Sequence, residues 1–108
     1  RMPRQTMRMP HGQIAAIASH GHTLDVFTVS GALLKSLQTF AELEAMLQGD
    51  ERFLPCNRGV LVNMDEALKL DGDSILLTDG LRFPLRQRNR LDLVNRFSEY
   101  QIKRMKRG

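Results

Sequence analysis

The stretch that most constrains this chain is Phe53 to Asn63, FLPCNRGVLVN, in which two short apolar runs flank a polar break that carries one arginine. Phe53, Leu54 and Cys56 lead in, with Pro55 interrupting. Val60, Leu61 and Val62 lead out, with the β-branched and aliphatic composition of a buried strand. The pattern predicts two strands meeting at a bend made by Asn57, Arg58 and Gly59. Gly59 permits a backbone conformation that a side chain would forbid, and an arginine between two stiff strands leaves the fold at a defined angle. The bend therefore offers a cation that can be aimed.

The rest of the chain supplies partners for these strands. Ile14 to Ala18 is a short apolar run; after the polar turn Ser19-His20-Gly21-His22, Leu24, Val26 and Thr28 alternate with Thr23, Asp25 and Phe27, so the pair reads as a hairpin. Ser30-Gly31 is a further turn and Ala32 to Leu37 a further strand. His20 and His22 fall at a loop tip, and from spacing alone they are simply two exposed histidines. Thr39 to Glu42 has the T-x-x-E form of a capping box, after which Phe40, Leu43, Met46 and Leu47 share one face of a short helix that Gly49 ends. Beyond the central stretch, Met64-Asp65-Glu66 reads as a turn, and Ala67 to Leu70 and Ser74 to Thr78 as strands joined by Asp71-Gly72-Asp73. Asp79-Gly80 is the strongest hairpin signal, continued by Leu81, Phe83 and Leu85. A closing helix follows, with Leu91, Val94, Phe97 and Ile102 at helical spacing.

Charge is unevenly spread. Residues 37–80 hold three bases and nine acids, whereas residues 81–108 hold nine bases and two acids, within a chain of net charge +4 and pI near 9.8. Lys103, Arg104, Lys106 and Arg107 read as a solvated, disordered tail. The Arg82 to Arg96 cluster is different, because its arginines sit against hydrophobic residues that must pack; within it Arg86-Gln87-Arg88-Asn89-Arg90 joins a hairpin to the start of a helix, where three cations oppose the helix dipole. An external anion would relieve that opposition. Arginine forks grip phosphate or the O6/N7 edge of guanine, and Gln and Asn pair with adenine, so the segment has the electrostatic footprint of a phosphate-binding surface.

The runs FLPCNRGVLVNMDEALKL and ILLTDGLRFPLRQRNRLDLVNRF resemble the LytTR family, the DNA-binding output domain of many bacterial response regulators. In that family a phenylalanine-led strand enters a basic turn, an aliphatic strand ends in Val-Asn, and a hairpin with Gly leads to a Pro, an Arg and a closing helix. The resemblance implies a mostly β, LytTR-like fold: small packed antiparallel sheets, one short internal helix and a C-terminal helix, with loops rather than a recognition helix entering the DNA grooves. It also implies base contacts at His22, Arg58 and Arg86, with phosphate contacts at Arg88, Asn89, Arg90 and Asn57. Two departures stand out. Asn57-Arg58-Gly59 replaces the frequent His-Arg-Ser, and Leu85 stands where Ser often precedes the last arginine, so two hydroxyls available to phosphate are gone.

The expected organisation is a linker over residues 1–12, the LytTR-like domain over 13–103 and a basic tail over 104–108. A chain that begins at Arg reads as a piece of a longer regulator, cytoplasmic and bacterial, whose preceding N-terminal region brings two copies together on double-stranded DNA. The competing class is a protein-interaction module that turns the same basic surface on an acidic partner. An enzyme is not indicated: there is no phosphate-cradling glycine loop and no Ser/His/Asp arrangement with glycine support, and Cys56 lacks an activating base. No Cys or His pair has zinc-ligand spacing, Asp71 and Asp73 lack the rest of a calcium loop, and no cofactor is implied. One Tyr, five Phe and no Trp, mostly at core-like positions, leave no stacking platform for unpaired RNA bases. No apolar run approaches the roughly 20 residues of a transmembrane helix, and no signal peptide is evident.

Overall fold

The alternation read between residues 14 and 28 becomes the centre of a sheet. In the computed structural model, which describes residues 9–107, strands β1 (Ile14–His20), β2 (Thr23–Thr28), β3 (Leu33–Ser36), β4 (Phe53–Asn57) and β5 (Val60–Asn63) form an antiparallel sheet in the order β3-β2-β1-β5-β4. Helix α1 (Phe40–Met46) links β3 to β4. Strands β6 (Ala67–Asp71), β7 (Ser74–Leu77) and β8 (Arg82–Pro84) make a second antiparallel sheet in chain order, and helix α2 (Arg90–Arg107) follows. This is the mostly β architecture of two small sheets and two helices that the resemblance implies.

The larger sheet is the middle layer, and each face has its own core. On one face Ile14, Ile17, Leu24, Val26, Phe53 and Leu61 pack with Leu43 and Leu47. On the other, Ala16, Leu54, Cys56 and Val62 meet Ile75, Leu77 and Phe83 of the second sheet and Leu93, Phe97 and Tyr100 of α2. The rings of Phe27 and Phe83 meet edge to face across the layers, centroids 5.6 Å apart. A bulge in β1 makes this division possible. The register steps from Ile14↔Thr28 to Ala16↔Phe27, leaving Ala15 as the extra residue, so Ile14 joins Ile17 instead of following Ala16 to the opposite face.

Where the bulge disturbs the ladder, a side chain completes it. Asn63, only 1% exposed, donates from Nδ2 to the Ile14 carbonyl at 2.9 Å, and its Oδ1 accepts from the Asp65 amide at 2.8 Å. Asn63 thus ends β5, caps the 3-10 turn over Met64–Glu66 and ties both to the start of β1.

Helix α1 begins with the capping box in full: the Glu42 amide donates to Thr39 Oγ1 at 3.1 Å and the Thr39 amide to Glu42 Oε1 at 2.8 Å. Leu43 and Leu47 are buried as expected, while Met46, at the last helical position, stays 39% exposed. Pro55 is tolerated because β4 is an edge strand whose register is irregular between Leu54 and Asn57. The Asp79-Gly80 turn forms with both residues at positive φ, and Leu77 N donates to Leu81 O at 2.8 Å.

Two expectations change. The buried stripe of α2 is Leu93, Phe97 and Tyr100, whereas Leu91 and Ile102 are 71% and 53% exposed. The Tyr100 hydroxyl fixes that rotation by donating to Asp65 Oδ1 at 2.7 Å. The helix also continues through residue 107, where a disordered tail is expected from Lys103; Arg104 Nε lies 3.2 Å from Asp65 Oδ1.

Of the expected linker, residues 1–8 lie outside the described residues, but Met9 to Gly12 are held. Met9 packs against the core on the α1 face of the sheet, and His11 Nδ1 lies 3.0 Å from Oδ2 of Asp50, whose Oδ1 accepts from Arg52 Nε at 2.9 Å. Burial alone would raise the Asp50 pKa. The hydrogen bonds from Arg52 and His11 outweigh it and hold the carboxyl below its ordinary value.

Replacing Asn63 with Ala leaves the buried Ile14 carbonyl unpaired and should cost about 2–3 kcal/mol in urea unfolding, with an unchanged m-value. Asp50 contributes stability that is fully present above its unfolded pKa of about 4 and lost as pH falls through the lower folded value. Asp50→Asn should therefore flatten the stability-versus-pH curve below about pH 4 while lowering the plateau at neutral pH.

Candidate nucleic-acid interface

Three loops gather at one end of the larger sheet because successive strands deliver them there. β1 turns into β2 through Gly21-His22, β4 turns into β5 through Arg58-Gly59, and β8 runs through Leu85–Asn89 into α2. The first two are joined backbone to backbone: Ser19 N donates to Gly59 O at 2.9 Å. Glycine favours that closeness. Gly59 has φ +72°, and a Cβ there would stand 3.2 Å from Ser19 Oγ. The second and third loops are joined by Asn57 Nδ2 donating to Pro84 O at 3.1 Å and by Arg86 N donating to Cys56 O at 2.8 Å.

On this rim His22, Arg58 and Arg88 are exposed, and none of their side chains has a partner among the described residues. Asn89 is exposed too, at φ +56°, a left-handed conformation that Asn adopts more readily than most residues. Arg86, Arg90 and Asn57, also expected at the DNA surface, have hydrogen-bond partners within the domain. Arg86 donates from Nη1 to Pro55 O at 2.9 Å and from Nε to Arg88 O at 2.8 Å. Arg90 donates to Arg86 O and Leu85 O, each at 3.3 Å, and to Asp73 Oδ1 at 2.6 Å. The Asn57 amide oxygen accepts from Arg58 N at 2.7 Å, while its NH2 is on Pro84. Internal carbonyls and carboxylates thus satisfy two of the three arginines set against the helix dipole, and Asp92 in the first turn of α2 adds a favourable charge.

The separate acidic and basic blocks of the sequence are largely interleaved in space. Asp71 pairs with Arg82, Asp73 with Arg90, Asp65 with Arg104 and Glu51 with Lys103. Exposed pairs of this kind stabilise little, but they cancel field. The basic surface is therefore narrower than the sequence implies, and Arg58 and Arg88 stand out on the rim because no acidic side chain among the described residues pairs with them. Sequence reasoning had no access to Asp73 as a partner of Arg90, which depends on how the β6–β7 turn meets the start of α2.

Cys56 is buried beneath the rim, and burial pushes its thiol up to about 12. A cavity of about 570 Å³ lies among Ala45, Leu47, Phe53, Leu61, Glu44 and Arg96, and its lining includes none of His22, Arg58 and Arg88. Among the described residues no three His, Cys, Asp or Glu side chains stand close enough to hold one metal ion, and no helix is long and apolar enough to cross a membrane.

A family model described as the LytTr DNA-binding domain matches residues 4–98. The chain belongs to the LytTR family. Among solved structures it is similar to the LytTr DNA-binding domain of a Bacillus cereus protein described as a methyl-accepting/DNA response regulator. The two are 16% identical, with a TM-score of 0.65 over 89% of this chain and 91% of that one, a likeness of fold. No curated protein matches the chain. Membership in a family of non-catalytic DNA-binding domains makes this LytTR chain a binding module and not an enzyme.

Since the thiolate is the reactive form, Cys56 in the folded LytTR domain should resist iodoacetamide at pH 8 and react fully on addition of denaturant. Mass spectrometry of the two samples checks this.

Proposed function

We propose that this LytTR domain binds double-stranded DNA sequence-specifically, through its loops, as the output domain of a bacterial transcriptional regulator of the two-component kind. The observation that carries the reading is the rim itself: three loops tied to one another by hydrogen bonds, with His22, Arg58 and Arg88 left unpaired on it. His22 and Arg58 reach base edges from the first two loops. On the third, the base contact falls to Arg88, since the guanidinium of Arg86 is already on Pro55 and Arg88 carbonyls. Asn89 and the backbone amides beside it lie on phosphate, while Asn57 and Arg90 shape the rim from behind. The region preceding this domain receives the signal and brings two copies onto repeated sites in the cytoplasm. The Bacillus cereus protein of like fold is described as a response regulator, which supports this placement.

Selection from a random duplex library tests the reading. An enriched motif whose preference survives physiological salt is expected; binding to any duplex that vanishes as salt rises would point instead to a basic surface used on an acidic protein partner. Against the enriched site, Arg58→Ala should lose about 1–3 kcal/mol of discrimination at one position. Unchanged specific and nonspecific binding by that variant would remove Arg58 from the interface. Arg88→Ala should relax preference at a different base pair, which a competition assay over single-base variants of the motif would reveal.

A further inference from the structure

We propose that Arg86 and Arg90 are positioning residues, two guanidinium clamps that fix the loop between them and present Arg88 to the duplex. The inference rests on the DNA-reading function above for its consequence, though not for its geometry.

Three arginines at alternate positions would leave an extended segment on one side and meet one partner together. The chain does otherwise. Asn89 at φ +56° breaks the alternation, and the outer two arginines turn inward. Residues 85–89 belong to no sheet, so their carbonyls have no ladder to accept into. Side chains take that role: Leu85 O and Arg86 O accept from Arg90, and Arg88 O accepts from Arg86. Each clamp also has an anchor outside the loop. Arg86 holds Pro55 O on β4, the strand that runs on into the Arg58 turn, and its Nη2 lies 3.6 Å from Asp92. Arg90 holds Asp73 in the β6–β7 turn, whose carbonyl also accepts from Leu85 N at 2.8 Å. The loop is gripped from both sheets.

The two clamp side chains are 28% and 26% exposed, whereas Arg88 between them is open to solvent. Carboxylates lie beside both clamps, so of three cations in five residues one is left to act outward. Because Arg86 ties the backbone of Arg88 to β4, it sets the spacing between Arg88 and Arg58. Only a guanidinium reaches two carbonyls and a carboxylate in different directions; an ammonium is a single point charge on a flexible stem.

Amide hydrogen exchange across residues 86–89 and binding to the selected site, measured for wild type, Arg86→Ala, Arg86→Lys, Arg88→Ala and the Arg86→Ala/Arg88→Ala pair, test this. Arg86→Ala should speed exchange at residues 87–89 and lose about tenfold of discrimination at the base pair read by Arg88, with the salt slope unchanged. Arg86→Lys should restore neither, and Arg86→Ala should cost no further discrimination in the Arg88→Ala background. If Arg86→Ala fails to fold, Arg86→Lys carries the same comparison. A salt slope shallower by about one would make Arg86 a phosphate contact. That result, or losses that add in the double variant, or unchanged exchange, would overturn the proposal. Failure of the underlying DNA reading shows separately, as a wild-type domain with no preferred sequence.

Discussion

The rim depends on β5 lying against β1. Neighbouring strands sit about 4.8 Å apart, and this one pairing sets the Arg58 turn beside the end of β1, close enough for Ser19 N to bond Gly59 O. At the far end of the same pairing, Asn63 takes over from the ladder where the Ala15 bulge interrupts it. A buried amide with both of its polar ends satisfied fixes register as well as adding stability, because a one-residue slip would leave the amide and the Ile14 carbonyl unpaired. Position of the loops and identity of the core are thus consequences of one strand contact.

Electrostatics then narrows what the rim presents. Arginines concentrated in the last third of the chain invite the expectation of a broad cationic face. Folding brings the acids of the β6–β7 turn, of the 3-10 turn after β5 and of the segment after α1 against those arginines and lysines. A surface prepared in this way attracts polyanions less indiscriminately, since much of its charge is answered before any partner arrives.

Much of this was legible in the sequence where local chemistry decides the outcome. The Thr39–Glu42 box, the Asp79-Gly80 turn and the strand pair around Arg58 are specified by residues within a few positions of one another. The LytTR resemblance supplied the assembly of those pieces, and the match over residues 4–98 bears it out. What stayed hidden is set by distant partners. Leu91, Val94 and Phe97 make as good a stripe on paper as Leu93, Phe97 and Tyr100. The choice falls to Asp65, which receives the Tyr100 hydroxyl from 35 positions away. The inward turn of Arg86 and Arg90 needs carbonyls whose location only the fold defines. Residue type indicated cations able to grip an oxygen, but not which oxygen.

The hydrogen bonds that join the three loops bear on which partner adapts on contact. Loops that order only on binding lose conformational entropy at that moment, whereas here the links from Ser19 to Gly59, Asn57 to Pro84 and Arg86 to Cys56 are made during folding. A rim so braced has little latitude to follow the contour of a groove. On the proposed reading of duplex DNA, the compliant member is then the duplex, and the stiffness of base steps that no side chain touches enters the choice of site alongside the bases themselves.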